Sequence, residues 1–79
     1  MMNKQDIKRY EDKRPIAVFP MSNWGGVEIL DIEHGIDDYA ICRYYGKSYH
    51  RVRIRYGVHE TSFRIGDLTF NFKDCLLTA

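Results

Sequence analysis

The sequence lacks an apolar run long enough to cross a membrane, and its first 14 residues are too polar for a secretory signal peptide. Its net charge is only +1, so it also lacks the strong excess of basic residues that marks most nucleic-acid-binding domains. These absences predict a cytoplasmic protein that makes no contact with a membrane and does not rely on charge alone to find a partner.

Cysteine and metal-ligand motifs are equally scarce. Cys42 and Cys75 form neither a closely spaced pair nor part of a metal-type cluster, and cytosolic thiols are normally reduced. A disulfide between them stays possible if the C-terminal segment crosses the strand that contains Cys42. The histidines His34, His50 and His59 have no ligand-type spacing. We predict no metal site and, in a chain of 79 residues with a thin core, no cofactor.

The composition is that of one small globular domain. Hydrophobic residues make up 44% of the chain, aromatic residues 14% and charged residues 29%. Residues 1–14 predict a polar N-terminal arm or short helix, in which Ile7 and Tyr10 share one side. Residues 15–79 predict a single small β domain.

Three dipeptides that begin with glycine divide the second half of the chain into hairpins. They are Gly46-Lys47, Gly57-Val58 and Gly66-Asp67. Each fits the loop of a type II′ turn, whose first position needs a positive φ. The resulting pairing collects nine apolar residues on one face, and a slip of one residue at any turn would move a whole strand's set to the other face. The nine are Tyr39, Ile41, Val52, Ile54, Phe63, Ile65, Leu68, Phe70 and Phe72.

Two further strands precede this four-strand meander. Residues Val27 to Glu33 carry apolar side chains at both parities, which indicates a bulge or burial on both sides. The stretch from Pro15 to Pro20 is short and bounded by proline, so it predicts an edge strand or an extended cover. The fold class is therefore mainly β, an antiparallel meander of five to six strands, arranged as an SH3-like barrel or as a strongly twisted sheet.

The opposite face of the meander carries a row of arginines. The same pairing puts Arg51 directly opposite Arg64, and like charges in that position disfavour each other unless something else binds them. An anion or a protein partner would fill that role, and a merely solvated face that prevents aggregation is the alternative. The candidate partner-binding residues are Tyr44, Lys47, Tyr49, Arg51, Arg53 and Arg64.

Charge is strongly segregated along the chain. Residues 21–38 contain five carboxylates and no lysine or arginine, whereas residues 39–66 contain six lysines and arginines and one carboxylate. A protein partner with mixed charge matches this distribution more easily than a nucleic acid does. The second hypothesis is a single-stranded nucleic-acid-binding module, in which Tyr44 and Tyr49 stack on bases.

No arrangement of residues predicts catalysis. The pairing sends Cys42 outward and His50 inward, so the two cannot act as a nucleophile and its base. The segment Asn23-Trp24-Gly25-Gly26 lacks the lysine of a phosphate-binding loop, and Trp24 is expected to close one end of the barrel. We predict a non-enzymatic binding protein of the kind that bacteriophages use to block host enzymes. The sequence leaves its oligomeric state open.

Overall fold

The computed structural model describes residues 2–20 and 26–77. A short helix, α1 (Lys4–Lys8), precedes the strands, and one turn of 3₁₀ helix spans Phe72–Asp74. The strands are β1 (Ala17–Phe19), β2 (Val27–Glu33), β3 (Tyr39–Tyr44), β4 (Ser48–Arg53), β5 (Arg55–Tyr56), β6 (Thr61–Ile65), β7 (Leu68–Asn71) and β8 (Leu76–Leu77). The mainly β class is confirmed, and so is the short N-terminal helix.

The strands form two antiparallel sheets. The five-stranded sheet has the order β4-β3-β2-β1-β8, and the three-stranded sheet has the order β5-β6-β7. The chain changes sheet at Ile54, whose N–H donates to the carbonyl oxygen of Asp38 at 2.8 Å. The strand predicted between the first two turns is therefore split into β4 and β5. The described strands do not close into a barrel, and the twisted-sheet alternative fits them.

The main core lies between the two sheets. The rings of Phe19, Phe63 and Phe70 meet there, with centroids 5.3 to 5.5 Å apart. Phe63 is fully buried, and the predicted burial of Ile54 and Phe70 is confirmed. Val52, also predicted to be buried, is only partly so and packs against this core. The other buried members are Ala17, Val27, Ile29, Ala40, Cys42 and Ile65.

A second, smaller apolar cluster covers the outer face of the five-stranded sheet. Ile29 pairs with Cys42 and Asp31 pairs with Ile41, so Leu30 is an extra residue in β2. The sequence predicted a bulge or burial on both sides, and both occur: the bulge turns Leu30 to the outer side, where it packs with Ile41 and Tyr10. None of the residues of α1 itself is buried, and the segment is held down by Tyr10 just after the helix.

At two of the three predicted turns, the side chains of the flanking strands point to the predicted sides of the sheet. The Gly66-Asp67 turn is confirmed, because Gly66 has φ +59° and Ile65 pairs with Leu68. At the second turn Gly57 has no positive φ, and its N–H donates to the carbonyl oxygen of Glu60 at 2.9 Å. The loop is therefore Val58-His59. This shifts the pairing by two residues, which keeps Ile54 and Phe63 inward as predicted.

The first turn was predicted wrongly by one residue. Its two central residues are Tyr45 (φ +59°) and Gly46 (φ +70°), the positive-φ pattern of a type I′ turn, and Lys47 N–H donates to the carbonyl oxygen of Tyr44 at 3.1 Å. Tyr44 then pairs with Ser48, and Lys47 is left over as an extra residue. The slip exchanges the faces of β3.

The exchange has direct consequences for β3. Ala40 and Cys42, predicted to be outward, belong to the main core, whereas Ile41 is buried in the outer cluster. Tyr39 likewise lies on the outer side, opposite Arg53. The faces predicted for these residues were therefore wrong, although Ile41 is buried as expected.

The C-terminal segment differs from the prediction as well. Phe72, placed in a strand by the pattern, starts the 3₁₀ turn. Beyond it, β8 pairs with β1, so β1 lies inside the five-stranded sheet and not at its edge. Cys42 and Cys75 are both free thiols. Trp24, which was expected to close one end of a barrel, lies outside the described residues.

Candidate partner-binding surface

Strand β4 carries three of the six predicted site residues on one side. Tyr49, Arg51 and Arg53 alternate along it and lie opposite Arg43, Ile41 and Tyr39 of β3. Both arginines are exposed. Because β4 is the terminal strand of its sheet, these side chains stand at the border of the outer face.

Arg51 is held in place from two directions. Its guanidinium carbon lies 3.9 Å from the centroid of the Tyr39 ring, which is within cation–π distance. Its Nε–H donates to Glu33 Oε1 at 2.7 Å, and this bond raises the pKa of the arginine. The side chain is still 54% exposed. Arg51 is therefore ordered before any partner arrives, and the two terminal amino groups of its guanidinium have no hydrogen bond within the described residues.

The acidic stretch lies beside the arginines. Two carboxylates of β2 and one of the following loop pair with the three arginines of β3 and β4: Glu28 with Arg43, Glu33 with Arg51, and Asp37 with Arg53. The Glu28–Arg43 pair has two hydrogen bonds, of 2.7 and 3.0 Å. Hydrogen bonding to Glu28 is the main cause that raises the pKa of Arg43. The segregated charge of the sequence is therefore neutralised across neighbouring strands.

The remaining two carboxylates of that stretch are also engaged. Asp31 pairs with Lys13, which follows α1, at 3.2 Å. Asp38 accepts hydrogen bonds from the Tyr56 hydroxyl and from His34, and the Tyr56 bond is the main cause that lowers the pKa of Asp38.

The structure does not bring all six predicted site residues together. Tyr44 lies on the inner side of β3, and Lys47 is in the turn. Arg64 belongs to the three-stranded sheet, opposite Thr69, so the predicted contact between Arg51 and Arg64 is wrong. Five of the six residues nevertheless belong to the β3–β4 hairpin, which we define as residues 39–53.

The tip of this hairpin contains an aromatic pair that the sequence did not single out. The rings of Tyr44 and Tyr45 are 4.3 Å apart, and Tyr45 is 40% exposed. A bulky residue with positive φ is uncommon and strained. A tyrosine in a sequence does not indicate this conformation, so the sequence pattern predicts Gly46, and not Tyr45, as the first residue of the β3–β4 loop.

Cys42 and His50 lie directly opposite each other on the inner face, which corrects the prediction that they point apart. Burial raises the pKa of the Cys42 thiol to about 12 and lowers the pKa of His50. A buried thiol with a raised pKa is a poor nucleophile, because the thiolate is the reactive form. Cys42 is therefore part of the core, and His50 lies half-buried opposite it, with its ring centroid 6.3 Å from that of Tyr44.

An open cleft of about 480 Å³ separates the end of the N-terminal segment from the loop after β2. Its lining includes side chains of both charge signs, among them Arg9, Asp31 and Asp37. Among the residues that the structure describes, no group of side chains is arranged to hold a metal ion. None of the described helices is long and apolar enough to span a membrane.

Comparison of the chain with protein families, curated proteins and solved structures finds no match. The functional argument therefore depends on the geometry of the surface alone.

Proposed function

We propose that the chain is a non-enzymatic binding protein that acts on a protein partner through the outer side and tip of the β3–β4 hairpin. A cytoplasmic inhibitor of the type made by bacteriophages is the narrower form of this proposal. The partner-contacting residues are Tyr44, Lys47, Tyr49, Arg51 and Arg53, and Tyr45 joins them at the tip.

The geometry of Arg51 carries the proposal. Its guanidinium is stacked on Tyr39 and bonded through Nε to Glu33, so little conformational entropy is lost when a partner binds it. The terminal amino groups can still donate to a carboxylate or carbonyl group. Arginine and tyrosine are among the residues that most often dominate the binding energy of protein interfaces.

The ion pairs favour a protein over the alternative, a single-stranded nucleic acid. Arg43, Arg51 and Arg53 each have a carboxylate of their own chain within 3.5 Å. A phosphate backbone would have to compete with those carboxylates and would meet their charge as it approached. A protein surface that carries both positive and negative charges can complement this row of ion pairs instead.

Capture from a lysate tests the proposal. The chain is immobilised, and bound material is compared with and without nuclease treatment, using the parent, Arg51→Glu and the control Arg55→Glu. Arg55 is an exposed arginine of the other sheet, without an ion pair in the described part of the chain. We expect one protein to be retained after nuclease treatment, lost with Arg51→Glu and kept with Arg55→Glu. Loss of all binding after nuclease treatment would instead support the nucleic-acid alternative.

A further inference from the structure

The two edges of the five-stranded sheet are built differently. Edge strand β4 has six residues and exposes Arg51 and Arg53, whereas edge strand β8 has two residues, Leu76–Leu77, and no charge. An edge strand presents unpaired backbone N–H and C=O groups, and proteins commonly protect such edges with charged side chains. Among the described strands, the β8 edge has neither a partner strand nor that protection.

The β8 edge also exposes apolar side chains. Leu76 and Leu77 are 58% and 84% exposed, and Ile16 is 44% exposed. Leu76 pairs with Val18, two residues after Ile16, so the side chains of these three residues share the outer side of the sheet. Leu77 pairs with Ala17 and lies on the inner side of the same edge. We call Ile16, Val18, Leu76 and Leu77, which line both sides of this edge, the β8 patch. It contains no charged residue, and Glu28, the next residue across the sheet from Val18, is already paired with Arg43.

We infer that the β8 patch binds a second copy of this chain, with β8 of one copy pairing antiparallel to β8 of the other. An isologous contact needs a surface that complements itself, and an uncharged apolar edge meets its own copy without like-charge repulsion. The β4 edge fails this condition, because two-fold pairing there would bring the exposed arginines of both copies together.

A two-fold axis perpendicular to the sheet at Leu76 sets Leu76 of one copy opposite Leu76 of the other and Leu77 opposite Cys75, because directly paired residues point to the same side of the sheet. The patch is small compared with the interfaces of stable dimers, so the dimer is weak and depends on concentration. Since β4 and β8 are opposite edges of one sheet, the dimer also carries two β3–β4 hairpins on its two outer borders. That arrangement suits a bivalent binder, although the dimer does not depend on the proposed function.

Sedimentation equilibrium from micromolar to millimolar concentration tests the dimer with purified protein alone. The parent is compared with Leu77→Lys, which adds charge to the β8 edge, and with Val58→Lys as a matched control. Val58 is 95% exposed, but it lies in the loop of the three-stranded sheet. We expect Leu77→Lys to weaken self-association by about tenfold or more, and Val58→Lys to leave it unchanged.

Hydrogen exchange supplies a readout that needs no variant. In the parent, the backbone amides of β8 should exchange more slowly as concentration rises, while those of β4 should not change. A parent that stays monomeric at millimolar concentration overturns the inference. So does a dimer that Leu77→Lys leaves intact, or one that Val58→Lys disrupts.

Discussion

The five-stranded sheet has buried side chains on both of its faces, whereas the three-stranded sheet has them on one. Val27, Ile29 and Cys42 fill the inner side of the larger sheet, and Leu30 and Ile41 are covered by Tyr10 on its outer side. The smaller sheet contributes Phe63, Ile65 and Phe70 to the core. Its other side is largely exposed and polar, with Arg64 opposite Thr69 and Ser62 opposite Asn71.

The arginines of the two sheets differ in the same way. Those of β3 and β4 each pair with a carboxylate, but Arg55 and Arg64 have no ion pair within the described residues. The cause is topological, since β2 and its loop carry the acidic stretch and lie next to β3 in the five-stranded sheet, away from β5 and β6. The comparison shows that charge segregated along a sequence can end as local neutrality on one sheet and as unpaired charge on another.

The largest expected effect tests whether the core shared by both sheets dominates stability. Phe63→Ala removes a fully buried ring that contacts Phe19 and Phe70, so it should cost about 3–5 kcal/mol of unfolding free energy. A domain of this size has few kcal/mol in total, and the variant should be largely unfolded. Urea titration followed by circular dichroism measures the change.

Leu30→Ala provides the matched comparison on the outer side. It opens only the cluster with Tyr10 and Ile41, so we expect a loss of about 2 kcal/mol and a folded variant whose Tyr10 becomes more exposed. The assigned NMR signals of the Tyr10 ring, broadened by a soluble paramagnetic probe when the ring is accessible, follow that exposure. If Leu30→Ala unfolds the chain as completely as Phe63→Ala does, the two clusters act as one unit and the contrast between inner and outer core fails.

A smaller effect is expected when the two kinds of arginine are compared. Arg43→Met breaks the two hydrogen bonds to a half-buried Glu28 and should cost about 1 kcal/mol. Arg64→Met removes an exposed and unpaired charge and should change stability by less than about 0.5 kcal/mol. Thermal unfolding at low and high salt checks both values. Equal costs for the two variants would mean that the ion pair adds nothing.

Turn chemistry and hydrophobic alternation were sufficient to predict the β6–β7 hairpin and the inward face of the smaller sheet, although not its separation from the larger one. Pairing around Gly66-Asp67 follows from one glycine and from the facing phenylalanines Phe63 and Phe70. Even the wrong loop at Gly57 left the faces intact, because an error of two residues preserves the alternation of side chains. The bounds of β2 could also be predicted, and its apolar residues at both parities indicated a bulge or burial on both sides.

The larger sheet was harder to predict because the conformation of one residue, Tyr45, determines which side chains of β3 point inward. Nothing in the sequence marks Tyr45 as left-handed, and the resulting slip exchanged Ile41 with Cys42. The prediction of the surface site was limited for a related reason. Its arginine row was predictable from alternation, but its pairing with Glu33 and Asp37 depends on which strands are neighbours. Local pattern contains no such information.

The smallest expected effect concerns that same turn, and it tests whether the hairpin tip stores strain. Tyr45 occupies a left-handed conformation that costs an ordinary residue roughly 1–2 kcal/mol. Asparagine tolerates this conformation, and Asn-Gly is the preferred pair for a type I′ turn. Tyr45→Asn also loses the ring contact with Tyr44, which is worth about 0.5–1.5 kcal/mol.

The two contributions nearly cancel, and we expect Tyr45→Asn to raise the unfolding free energy by about 0.5 kcal/mol, or Tm by roughly 2–4 °C. Tyr45→Ala is the matched control, because it loses the ring without relieving the strain and should lower Tm. Differential scanning calorimetry compares the three proteins. If both variants lose the same stability, the ring contact outweighs the backbone strain, and the tip is held by its aromatic pair and not by the turn.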